Sequence, residues 1–217
     1  FPISDEALFF AHYDVLTKRP TIANRLDPID YFFINNIGQT AVQNPDLGLE
    51  QTIDYEVGFK QKLNNFSSLS IATFYREFRD LVQVVNLQQA YPNGYITYKN
   101  GDFGTVKGLT VSYDLRRMGN IRGRISYTMQ FAEGTGSSAN AGLGLARSNQ
   151  PNLRNLIPLS FDQRHTIIAN IDYRYGSGKD YNGPDGWVRN ILENFGVNSV
   201  INVGSGTPYS KQKNVTQ

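Results

Sequence analysis

Three long segments of this chain alternate apolar and polar side chains residue by residue, and a period of two belongs to a β-strand rather than a helix. In Thr52–Leu63, Ile53, Tyr55, Val57, Phe59 and Leu63 share one face, with Gln61 the single polar interruption. Asp54, Glu56, Gly58, Lys60 and Lys62 share the other. Ile121–Phe131 and His165–Tyr175 repeat the pattern. Weaker alternation in Ala7–Tyr13, Leu69–Tyr75, Leu109–Leu115 and Phe195–Val203 brings the expected total to about seven strands. These strands should run about 10 to 15 residues, against about 5 to 6 in ordinary soluble domains. A strand of about 12 residues, at about 3.3 Å each and tilted near 40°, climbs roughly 30 Å. That exceeds the roughly 25 Å apolar band of a membrane-spanning barrel. Slipping Thr52–Leu63 by one residue would turn Asp54, Glu56, Lys60 and Lys62 toward lipid, at a cost on the order of 10 kcal/mol.

Composition agrees with an all-β chain. Tyr and Phe number 13 each and Gly 20, which favours strands and turns. A net charge of +2 with interspersed signs offers no footprint for nucleic acid. The absence of cysteine removes disulfides and thiolate metal sites. No run approaches the roughly 18 apolar residues of a membrane helix, and the mean hydropathy is −0.40. An alternating strand hides its membrane face in that average. Connections alternate between tight turns at Asn64-Asn65 and Met118-Gly119-Asn120 and long polar loops at Val15–Gln51, Asn86–Gly94 and Gly134–Asp162. Thr52–Leu63 should therefore run toward the short-turn side. Gly176–Glu193 breaks the alternation by being long where a short turn is due, and part of it is expected to form a further hairpin, with a helical turn at Asn190–Asn194. Both ends read as cut from a longer product, since neither a signal segment nor a natural stop is visible. A soluble β-sandwich or secreted barrel remains the alternative. Strand length and the charge on the polar faces weigh against it.

In the membrane reading, Tyr55, Val57, Phe59, Ile125, Tyr127, Ile167, Ile171 and Tyr173 face lipid. Lys60, Arg122, Arg124, Asp172 and Arg174 face the lumen. Substrate contacts are expected on the long loops, with Tyr31, Phe32, Phe33 and Arg154 as candidates and Leu143–Leu156 as a second segment. The alternative is that these loops only pack on one another. The two histidines, His12 and His165, lie far apart and are read as wall residues rather than metal ligands. The pairs Asp54/Glu56 and Asp27/Asp30 fit a polar wall and a loop turn better than acid–base or Ca²⁺ chemistry. No nucleophile elbow, phosphate loop or dinucleotide fingerprint is present, and the Gly-x-Gly pairs at Gly142/Gly144, Gly176/Gly178 and Gly204/Gly206 are read as loop glycines. No enzyme activity and no cofactor are expected.

Five stretches carry a resemblance. Asn44-Pro45-Asp46-Leu47-Gly48-Leu49-Glu50-Gln51-Thr52 leads into Tyr55-Glu56-Val57-Gly58-Phe59-Lys60. Ala72-Thr73-Phe74-Tyr75-Arg76 precedes Asp80-Leu81-Val82. Val106-Lys107-Gly108-Leu109, Phe161-Asp162-Gln163-Arg164-His165 and Gly204-Ser205-Gly206-Thr207-Pro208-Tyr209 follow. In this order they resemble TonB-dependent outer-membrane receptors, in particular those of Bacteroidota, including receptors with a carboxypeptidase-like regulatory domain. Thr110 departs from the pattern, standing where that family often has an acidic residue. The resemblance implies an antiparallel transmembrane β-barrel, large, 22-stranded and plugged, of which residues 1–217 form part of one barrel domain. About seven strands cannot close it, so the plug and the remaining strands lie outside this chain. It implies import of a nutrient (a metal chelate, glycan or peptide) across the bacterial outer membrane. The implied partners are outer-membrane lipid, a TonB energising complex acting through the plug, and a surface lipoprotein. An outer-membrane structural or assembly barrel, or a soluble β-rich binding module, are the competing functions.

Overall fold

The computed structural model describes residues 2–21, 32, 41–91, 93–152 and 154–209. They form one antiparallel sheet of nine strands. The strands are β1 (Pro2–Ser4), β2 (Ala7–Lys18), β3 (Glu50–Lys62), β4 (Ser67–Leu87), β5 (Tyr95–Met118), β6 (Ile121–Gly134), β7 (Ile157–Pro158), β8 (His165–Arg174) and β9 (Gly196–Gly204). They pair in chain order as β1-β2-β3-β4-β5-β6-β8-β9. β7 continues the line of β8 by pairing with Glu133 and Gly134 at the end of β6. The sheet is open, because β1 and β9 pair on one side only among the described residues.

All seven alternating segments lie on strands, and three expectations need correction. β1 and β7 add two strands that are too short to show a period. β4 and β5 reach 21 and 24 residues, longer than expected. The alternation in β4 is broken by a bulge between Phe78 and Val82, where Asp80 takes a positive φ of 55°. Beyond it the ladder resumes, from Val82↔Asn100 to Leu87↔Tyr95. Residues 176–193 form no hairpin. They fold as a compact loop with a 3-10 turn at Gly178–Asp180 and a short helix, Arg189–Leu192, one residue earlier than the helical turn expected. Two positive-φ glycines, Gly178 and Gly186, bend the chain where a strand would need extended backbone. The β5–β6 connection is the tight turn expected, with Gly119 at φ 61°.

Register carries one row of apolar residues across every long strand. Phe9 pairs with Phe59, Phe59 with Ile71, Ile71 with Val111, Val111 with Tyr127, Tyr127 with Ile167 and Ile167 with Val203. Tyr13, Tyr55 and Tyr75 form a parallel row, with ring centroids 5.2 and 6.2 Å apart. Nothing in the described chain covers this face, and Val57, Ile125 and Ile167 stay 46, 44 and 40% exposed. The opposite face lines a hollow of about 970 Å³ that reaches from Leu8 on β2 to Asn198 on β9, which makes it the concave side.

The motif glycines of the wall sit on that concave side beneath phenylalanine rings from neighbouring strands. Phe10 pairs with Gly58, and Phe74 with Gly108. A Cβ at Gly58 would first meet the far end of the Phe10 ring, at 2.3 Å. A Cβ at Gly108 would lie 2.5 Å from the Phe74 ring and 2.3 Å from the Met129 carbonyl oxygen, which cannot swing away. Gly108→Ala should therefore destabilise the folded barrel by about 1–3 kcal/mol, and Phe74→Ala should not rescue it. Gly58→Ala should cost less and be relieved by Phe10→Leu. Denaturant midpoints of the four variants, read as loss of the folded gel mobility, check this ordering.

Candidate functional site: the concave wall and its mouth

The concave face divides into two levels. At the end of the short turns it is polar and charged. Arg117 Nη2 donates to Asp172 Oδ1 at 2.6 Å, and Arg174 Nη2 lies 3.7 Å from the other oxygen of that carboxylate. Arg124 Nε lies 3.4 Å from Asp114 Oδ1. Further up, Arg76 reaches Asp54 Oδ2 through Nε at 3.2 Å and Nη2 at 2.6 Å. The arginines of these pairs are 42 to 67% exposed, so each pair adds only about 0–1 kcal/mol and serves mainly to aim its side chains. Lys60, Lys62, Arg116 and Arg122 make no ion pair with any described residue, which leaves this level of the hollow positive.

The upper level is built by loops. β4 and β5 run on past the ends of β3 and β6 as a projecting hairpin, which leaves both of its backbone edges without a strand partner. Unpaired edges invite aggregation and orphan their amides. Here two loops cross the concave face of the hairpin in opposite directions and satisfy them. Residues 41–49, arriving from the β3 side, reach the far edge of β5, where Val42 N–H donates to Ile96 O at 2.7 Å and Thr97 Oγ1 donates to Val42 O at 2.8 Å. Residues 135–152, arriving from β6, reach the far edge of β4. There Val84 N–H donates to Ala139 O at 2.9 Å, and Asn152 Nδ2 donates to Val84 O at 2.7 Å. Leu47, Val82, Val84, Ile96, Tyr98 and Ala146 close into a core between them, with Val84 fully buried. Ala146 belongs to α1 (Leu143–Arg147).

Asparagines fasten this arrangement. Asn86 Nδ2 donates to Ala146 O at 2.8 Å and to Asn149 Oδ1 at 2.7 Å. Asn100 accepts from Gly48 N–H at 2.8 Å and donates to Asp80 O at 2.7 Å, which ties the loop to the bulge. The descending arm of the β6–β8 loop dips inward. Leu159, 2% exposed, packs with Val106 and Ala132 against Phe74 and Phe78. Asp162 Oδ1 accepts the Ala132 N–H at 2.9 Å.

The sequence candidates fall as follows. Tyr55, Val57, Phe59, Ile125, Tyr127, Ile167, Ile171 and Tyr173 share the convex face, and Lys60, Arg122, Arg124, Asp172 and Arg174 the concave one. Tyr31, Phe33, Asp27 and Asp30 lie outside the described residues. Phe32 is 86% exposed, and Arg154 is exposed. Within Leu143–Leu156, Leu143 and Ala146 pack on the hairpin. His12 and His165 stand on β2 and β8, with four strands between them. His165 Nδ1 bonds the Tyr127 hydroxyl at 2.8 Å. Its backbone N–H donates to Ser205 Oγ at 3.2 Å, and Gln163 lies over Gly204, so two distant motif stretches meet at the top of β8 and β9. The asparagines and Asp102 were missed by sequence reasoning. The available signal was polar residues, Asn86, Asn100 and Asp102, at inward positions of otherwise strand-like runs.

A family model described as TonB dependent receptor-like, beta-barrel, matches residues 3–215. The chain belongs to that family. Its place is accordingly the outer membrane, and the open sheet is a piece of barrel wall. The outer membrane transporter YddB from Escherichia coli is similar to 77% of this chain, at a TM-score of 0.52 and 15% identity. The FrpB iron transporter from Neisseria meningitidis matches 92% of the chain in its F3-3 and F5-1 variants, with TM-scores of 0.49 and 0.47 and identities of 16 and 13%. The chain spans 24% of the YddB chain and 30% of each FrpB chain. No curated relative matches it. The likeness to YddB concerns the fold alone.

Asp102 stands on the projecting hairpin, past the last residue of β6 and outside the membrane-spanning wall. Its carboxylate is buried and makes no ion pair with a described residue. Burial pushes its pKa above the ordinary carboxylate range, and the Thr135 hydroxyl, donating to Oδ1 at 2.9 Å, offsets part of that rise. A folded-state value above the unfolded one means that the folded loop binds the proton more tightly. The loop therefore gains stability as pH falls through the raised value, and the gain is complete below the unfolded value of about 3.9. Amide exchange at Thr135, whose N–H is held by Phe103 O, should slow as pH falls through that window, after correction for intrinsic rates. Asp102→Asn should remove the pH dependence and leave the protection of the acid form at neutral pH.

Proposed function

We propose that this chain is part of the wall of a large, plugged outer-membrane barrel, of the Bacteroidota type, that imports a nutrient such as a metal chelate, glycan or peptide. The observation that carries the reading is the opposition of its two faces. The convex face carries an apolar row from Phe9 to Val203 that no described residue covers, as a wall immersed in lipid requires. The concave face is charged at one end and roofed by crossing loops at the other, as a lumen with a gated mouth requires. In this reading Tyr55, Val57, Phe59, Ile125, Tyr127, Ile167, Ile171 and Tyr173 meet lipid, and Lys60, Arg122, Arg124, Asp172 and Arg174 meet the lumen or what fills it.

Residues 1–217 are then one part of a single barrel domain whose other strands and plug belong to the same gene product. Exposed Phe32 and Arg154, with Tyr31 and Phe33, are the candidate first contacts for substrate, and the loop-built mouth is where a surface lipoprotein would dock. A lumen of this width must be plugged or the cell leaks, and opening a plug requires work. The outer membrane holds no nucleotide supply of its own, so the work crosses the periplasm through a TonB-type partner.

Two measurements test this. Val57→Arg or Ile167→Arg should each cost about 2–4 kcal/mol near mid-bilayer and deplete the folded receptor from the outer membrane. Arg122→Ala should leave its abundance unchanged. Nutrient uptake should be lost on deleting either the receptor or the energising partner. Uptake that survives loss of the partner but not of the receptor would replace energised import with a passive pore.

A further inference from the structure

The connection between β8 and β9 is out of proportion to its place. The other turn-side connections are Asp5–Glu6, Leu63–Phe66 and Gly119–Asn120, while this one runs from Tyr175 to Phe195. Bacterial barrels keep such turns short. Nor is it loose. Its base continues the convex aromatic face, with the Tyr173 and Tyr175 rings edge-on at 5.3 Å. Tyr181 packs on Tyr175 at 5.8 Å, and the Arg189 guanidinium lies 5.2 Å over the Tyr181 ring. Arg189 Nη2 donates to Gly178 O at 3.0 Å, and the Glu193 carboxylate accepts the Gly178 N–H. The Tyr181 hydroxyl donates to Pro184 O at 2.8 Å.

These bonds tie Arg189 and Glu193, the two charges of the helical segment, to the loop backbone at Gly178. Trp187, in the turn that leads into the helix, and Ile191, within it, are 77 and 63% exposed. Trp187 is the single tryptophan of the chain. An amphipathic indole, carried on a folded loop at the end of a lipid-facing wall, matches what collects where a bilayer meets water.

We infer that residues 175–195 form an interfacial foot whose Trp187 and Ile191 insert among the phospholipid headgroups of the periplasmic leaflet. The proposal rests on the lipid-facing assignment of the convex wall. Its surface is continuous with that wall through Tyr173, Tyr175 and Tyr181, which is why the occupant is lipid rather than a periplasmic protein.

The test uses the full-length receptor, freed of any cysteine outside this chain, which itself has none. Trp187→Cys, Ile191→Cys, Ile167→Cys and Asp185→Cys are each labelled with a nitroxide and reconstituted in phosphatidylethanolamine–phosphatidylglycerol vesicles. Collision with oxygen and with a water-soluble nickel chelate is then measured at each label. Trp187 and Ile191 are exposed, so their replacement spares the packing beneath. The labels at 187 and 191 should show oxygen access approaching that at 167 and nickel access severalfold below that at 185. If the label at 167 lies in lipid while those at 187 and 191 match the label at 185, the foot is wrong and the wall assignment stands. Labels at 187 and 191 shielded from both reagents would mean a protein occupant, which also overturns the foot. If the label at 167 itself collides freely with nickel, the wall assignment falls and the foot with it.

Discussion

The two-residue pleat, carried in one parity through the main ladders from β2 to β9, is the constraint on which the rest depends. Each ladder hands its parity to the next, so the row beginning at Phe9 ends at Val203 still apolar and still on the same face. The bulge near Asp80 preserves that parity, since Phe78↔Gly104 and Val82↔Asn100 stand on either side of it in the same phase. An odd shift between two strands would bring the charged side chains of one part of the sheet onto the apolar face of the rest, which in the membrane reading costs several kcal/mol for each basic side chain. The charge on the concave side is thus the counterpart of the apolar convex face, and it makes the register costly to change.

The projecting β4–β5 hairpin poses a second problem with a different solution. Past the ends of β3 and β6 its backbone has no strand to pair with, and its inward face carries Val82, Val84, Ile96 and Tyr98. Two loops cross it and pair with the edges. Asparagine side chains, which offer both a donor and an acceptor, supply bonds that a regular ladder would otherwise make. The same contacts that protect the edges give the mouth a fixed shape, which a binding surface requires.

The stretches that carry the family resemblance turn out to be construction rather than chemistry. Gly58 and Gly108 lie beneath phenylalanines, Asp162 holds the Ala132 amide, and His165 and Gln163 join β8 to the residues that end β9. They identify how the wall is made.

Strand identity, facing and the antiparallel meander were legible in the residues because period, turn glycines and charge placement are local properties, as Tyr55, Lys60 and Gly119 illustrate. The length of β4 and β5 was not legible, because the bulge at Asp80 interrupts the local pattern and only pairing with the opposite strand restores it. The crossing of the two outer loops, the inward dip at Leu159 and the compact foot at Tyr175–Phe195 were decided by tertiary structure alone. Each depends on which backbone edges and aromatic rings are left without partners once the sheet has formed, and a single strand carries no record of that.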